Sequence, residues 1–179
     1  GGIRMPFVPA VCNDCHTIFS SGLYVRDIDM NVSGYEVRER CTNCNGEGQV
    51  LSGIYKFIDY TIAIIKETER PLSQLKKLHQ FLTIVYNYNI GYDEVEFDIY
   101  LELPTFADIL LLLPETKKDY KLCLHILIQV VSAIIEISIQ ADNMSSRTGG
   151  VIKIHQDLKS TQIVDQIYTQ NTGVKRRLF

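Results

Sequence analysis

The chain has 179 residues, 46 % of them hydrophobic and 22 % charged, which is the balance of a folded protein with area enough for a real core. Its formal net charge is −3, and that removes the simplest electrostatic case for a nucleic-acid partner. The opening "GGIRMPFVPAV" lacks the basic and then apolar run of a secretion leader. The expectation is therefore a cytoplasmic, reducing setting, where clustered cysteines hold metal more often than they form disulfides.

The first informative stretch is "CNDCH" at residues 12–16. It spells a covalent haem attachment site, and it is equally one half of a zinc site. Haem would use Cys12 and Cys15 as thioether anchors and His16 as an axial ligand, but it would leave Cys41 and Cys44 without a role. A tetrahedral thiolate cage uses Cys12, Cys15, Cys41 and Cys44 together. Zinc is thus the first choice, ahead of iron in the same cage, redox dithiols and, last, haem. With four sulfurs the coordination shell is closed, so the metal is expected to be structural rather than catalytic. His16 is expected beside the site, donating toward a sulfur or, less favoured, replacing a ligand.

Between the cysteine pairs, "LYVRDIDMNVSGYEVRER" (23–40) alternates with period two on both sides of "NVSG", the pattern of a β-hairpin. In "CTNCNGEG", Gly46 and Gly48 are expected to let the backbone turn tightly around a bound sulfur. With these residues in view, 10–50 resembles a zinc ribbon, in which a hairpin joins two zinc knuckles. The resemblance implies the metal and the module but no particular activity. "CTNCNGEG" is also similar to the cysteine–glycine repeat of DnaJ-type chaperones, but there are two pairs here instead of four, and "CNDCHTIF" departs from the repeat.

Residues 1–53 carry four arginines against six carboxylates, and zinc held by four thiolates adds two more negative charges. Such a surface repels phosphates. Nucleic acid is therefore the second choice of partner, resting on Arg38, Arg40 and the basic tail "VKRRLF".

From about residue 54 the period becomes helical. "IYKFIDYTIAIIKETE" predicts an amphipathic helix, and Pro71 opens the next, with Leu72, Leu75, Leu78, Leu82 and Val85 on one side. His79 flanks that stripe as a structural histidine. "YDEVEFDIYLEL" predicts an acidic helix with Val95, Ile99 and Leu103 inward and its carboxylates on a solvated face. Thr105 with Asp108, and Thr116 with Asp119, read as helix starts.

The second start opens the most apolar helix, about 116–141. On it, His125, Gln129, Ser132, Glu136 and Gln140 share one stripe about 80° wide. Its apolar remainder needs a host. A bundle core ranks first, a subunit interface second and a bilayer last, since polar groups are costly in lipid. His125 and Glu136 stand about 16 Å apart along the axis and cannot act on one atom. Cys123 belongs to the packed part. Residues 142–150 read as a loop, "VIKIH" (151–155) as a short strand and 161–170 as a last short helix.

The overall expectation is an α+β chain with a zinc-ribbon module at 8–53 and a helical domain at 54–179. No phosphate loop, hydrolytic triad order or His-Glu-x-x-His is present in the sequence. The function expected is accordingly non-enzymatic: a zinc-stabilised protein-interaction or assembly subunit, with a homo-oligomer as the first form considered.

Overall fold

A computed structural model describes residues 7–24, 37–51, 53–66, 71–114, 117–145 and 158–177. The fold is α+β: a small antiparallel sheet at the N-terminal end, followed by helices. Strand β1 (Phe7–Cys12) lies in the centre of the sheet. It pairs antiparallel with β2 (Ile18–Tyr24) on one side and with β3 (Gly48–Val50) on the other. Cys12 therefore ends β1 and Cys15 lies in the connection to β2, while Cys41 and Cys44 fall in the turn before β3. Most of the hairpin expected over 23–40 falls outside the described residues. Of its described ends, Leu23 and Tyr24 finish β2, while 37–40 form no strand.

The period-two alternation of β2 gives the sheet two different faces. Phe19 turns to a small cluster with Ala10, Cys12 and Cys41. Its neighbour Ile18 turns the opposite way and joins the large core formed by the helices. Between them these adjacent residues bind the sulfur side of the sheet to the helical side.

Helices α1 (Ile54–Lys66) and α2 (Pro71–Asn87) follow their apolar stripes. Leu75, Leu78, Leu82 and Val85 are fully buried. In α3 (Tyr92–Glu102), Val95 and Ile99 are buried and Leu103 caps the C-terminus. The next segment, Pro104–Leu112, is a 3₁₀ helix capped by Leu103 without a side-chain hydrogen bond. Thr105 thus lies inside the segment instead of starting it. Pro104 supplies the start, since its fixed φ and missing N–H suit a first helical position.

The long helix, α4, runs over Lys117–Ser145, with Asp119 in its first turn, where a carboxylate favours the helix dipole. Thr116 lies outside the described residues. Residues 142–145, expected in a loop, continue the helix, because "DNMS" holds neither Gly nor Pro to stop it. The proposed strand at 151–155 is outside the described residues. α5 (Ser160–Arg177) is longer than the short helix expected at 161–170. The helix extends through Lys175, Arg176 and Arg177, which the sequence placed in a basic tail.

α4 packs against α2 and α5. Leu124, Leu127, Val130, Val131 and Ile134 are buried there, as the expectation of a core helix requires. By length and composition, Asp119–Ala141 could also cross a membrane, but half of its most apolar window is already buried within the protein.

Candidate metal centre

Cys12, Cys15, Cys41 and Cys44 converge, with all four sulfurs within 4.8 Å of one another. Cys12 Sγ is 3.4 Å from Cys44 Sγ, and Cys15 Sγ is 3.6 Å from Cys41 Sγ. A tetrahedral zinc with Zn–S bonds near 2.3 Å has sulfur–sulfur edges of about 3.8 Å. The observed spacing suits a single ion of that kind. Cys123 is remote from the group, half-buried among apolar neighbours.

The two Cys-x-x-Cys turns are built alike. In the first, Asp14 N–H points at Cys12 Sγ (3.4 Å), Cys12 N–H donates to Thr17 O, and His16 N–H donates to Cys12 O. In the second, Asn43 N–H points at Cys41 Sγ (3.4 Å), Cys41 N–H donates to Gly46 O, and Asn45 N–H donates to Cys41 O. The residue after the second cysteine is left-handed in both, with φ of 61° at His16 and 62° at Asn45. Asn and His are among the few non-glycine residues that enter this region readily. The histidine that makes the sequence look like a haem site is, in this fold, the residue that closes a knuckle.

The glycines act through space rather than torsion. A Cβ on Gly46 would come within 2.7 Å of Asp14 Oδ2 and 3.2 Å of Cys44 Sγ. One on Gly48 would lie 2.5 Å from the Phe19 ring. Neither glycine takes a positive φ, so the tight turn expected of them is not what requires them.

Protonation at the cluster is uneven. Burial opposes ionisation of Cys15, but hydrogen bonding with the Thr17 hydroxyl and backbone and with Asn43 outweighs it and brings the thiol down to about 6. Burial raises Cys41. Cys44, on the exposed edge, is pushed up to about 12, first by its contact with Cys12. One thiolate forms easily and opposes the next, so four together need a cation among them. The donor set of four soft sulfurs with backbone N–H support fits zinc or iron.

His16 does not donate to a sulfur. Its Nδ1 lies 3.4 Å from the Tyr86 hydroxyl on α2, and burial lowers its pKa. Its carbonyl is the busier group: it accepts from Gln129 Nε2 and His125 Nδ1, both at 2.9 Å. Gln129 Oε1 accepts in turn from Ile18 N–H at 2.9 Å and from Asn171 Nδ2 at 3.3 Å. Asn171 Nδ2 also donates to Ile18 O at 2.6 Å. The knuckle exit is thereby fastened to α4 and α5. Gln129 and His125 were visible in the sequence only as part of a polar stripe, and Tyr86 and Asn171 gave no signal.

Arg38 and Arg40 are exposed, and Arg40 pairs with Glu47 at 3.5 Å. His79 is half-buried on α2, with burial lowering its pKa. The chain matches no protein-family model, and no curated protein or solved structure is significantly similar to it.

Proposed function

We propose that this chain is a cytoplasmic, non-enzymatic assembly subunit in which zinc holds the N-terminal sheet and a helical face binds protein. The zinc half of the reading is supported by the closed set of four sulfurs, which leaves no coordination position for a reacting water.

The observation that carries the interaction half is the outward side of α3. Phe97, Tyr100 and Leu101 are 68 %, 61 % and 67 % exposed, at i, i+3 and i+4 on the side away from Val95 and Ile99. Three large apolar side chains in one helical stripe are the anchor pattern of a helix-in-groove contact. The first partner to consider is a second copy of the chain. Light scattering on the zinc-loaded protein should give a mass of at least two chains, and Phe97→Glu should return it to one. A dilution-stable single chain would overturn the self-assembly reading.

Nucleic acid remains the alternative, supported by the exposed Arg38, but Arg40 is already occupied by Glu47. A mobility shift on mixed RNA or DNA at low salt, lost in Arg38→Glu, would favour it. Elemental analysis tests the metal directly, with about one zinc per chain expected.

A further inference from the structure

The polar stripe of α4 serves two purposes. His125 and Gln129 hold the knuckle exit, whereas Ser132 and Glu136 take no part in that clamp. Both line a cleft of about 560 Å³ between α2, α4 and α5. Across it stand Gln166 and Gln170 of α5, and His79 of α2 closes one side. Among the described residues, none offers a hydrogen-bond partner to the side chains of Ser132, Glu136, Gln166 or Gln170. The volume is that of a small-molecule site, and such sites combine an apolar wall with a few convergent polar groups. Ile128 and Ile167 supply the wall.

We propose that this cleft binds a small ligand, uncharged or cationic, that presents a flat pair of N–H donors, as a guanidinium or the edge of guanine does. Three features select that chemistry. Among the described residues Glu136 is the one charged side chain lining the cleft, and its two oxygens match a parallel donor pair. Among the described residues no lysine or arginine lines the cleft, so there a phosphate or carboxylate ligand would meet a like charge without compensation. The flanking carboxamides both donate and accept, which suits a heterocycle edge or the shaft of an alkyl guanidine. His79, which burial keeps toward its neutral form, adds no positive charge. The cleft lies apart from the α3 face, and at one end it is lined by Gln129 and Asn171, which also clamp the knuckle exit.

The test is calorimetric titration of the full zinc-loaded chain with guanosine and, separately, with agmatine, at physiological ionic strength. One of the two should saturate at one per chain. Saturation by guanosine identifies the heterocycle edge as the ligand, and saturation by agmatine identifies the alkyl guanidine. Glu136→Gln, which keeps the shape and removes the charge, should weaken binding about tenfold or more, and Ser132→Phe should abolish it by filling the cleft. Helical circular dichroism checks that both variants fold, and the near-isosteric Glu136→Gln suffices if the larger residue disturbs packing. Failure of both probes to saturate, or a smaller effect of Glu136→Gln, would overturn the proposal.

Discussion

His16 and Asn45 occupy equivalent places, and the equivalence is conformational rather than chemical. Each follows the second cysteine of its pair with φ near +60°. His16→Asn should therefore change stability by less than about 1 kcal/mol, while His16→Val, branched at Cβ, should cost about 1–3 kcal/mol. Urea unfolding measures both, and metal content should stay at one per chain in each, since the imidazole is not a ligand. Gly46→Ala tests the close approach at the sulfurs: the bound metal ion should pass to a chelator faster than from the parent protein. Gly91→Ala is the control, because a Cβ there meets nothing within 4 Å. Sequence spacing was enough to choose the four cysteines. It could not show that His16 works through its backbone, because the partners of its carbonyl, His125 and Gln129, are more than a hundred residues away.

At the scale of elements, α4 is both the core of the helical part and the anchor of the sheet. Gln129→Leu keeps the volume but leaves Ile18 N–H and one bond to His16 O unmade in a packed site. The expected loss is about 2–4 kcal/mol, read from denaturant midpoints. His125 adds a pH dependence. Burial lowers its pKa below the ordinary 6.5, with the contact to His16 O acting in the opposite sense. As pH falls, the unfolded chain takes up the proton first, so stability is complete above about 6.5 and is lost as pH falls below it. The melting temperature should drop between pH 7.5 and 5.5, and drop less in His125→Asn, whose amide can stand where Nδ1 does. Zinc content measured alongside separates this effect from acid release of the metal. The helices themselves were legible from apolar spacing, α2 to its residue bounds. The 3₁₀ segment was not, because a Thr-x-x-Asp signature and a proline one residue earlier compete for the same start.

For the whole molecule, the question is how far the metal's influence reaches. Structural zinc supplies about 10–16 kcal/mol to small modules, and here the module shares Ile18 with the helical core. Cys41→Ser should abolish metal binding at the four-sulfur site and open the N-terminal 50 or so residues to protease. The helical signal should largely persist at a lower melting temperature, since nearly all of the large core comes from helices. Complete loss of helix would mean that the sheet nucleates the rest.

The sequence by itself determined which atoms form the cage and where most helices lie, because both are written in short-range spacing: two residues between cysteines, three or four between apolar side chains. Tertiary structure alone decided that the α4 stripe serves both a knuckle clamp and a cleft, with Gln129 common to the two, and that Phe97, Tyr100 and Leu101 face outward. Those outcomes depend on which helices meet, and a pairing between residues 16 and 129 or 18 and 171 leaves no periodic trace in the chain.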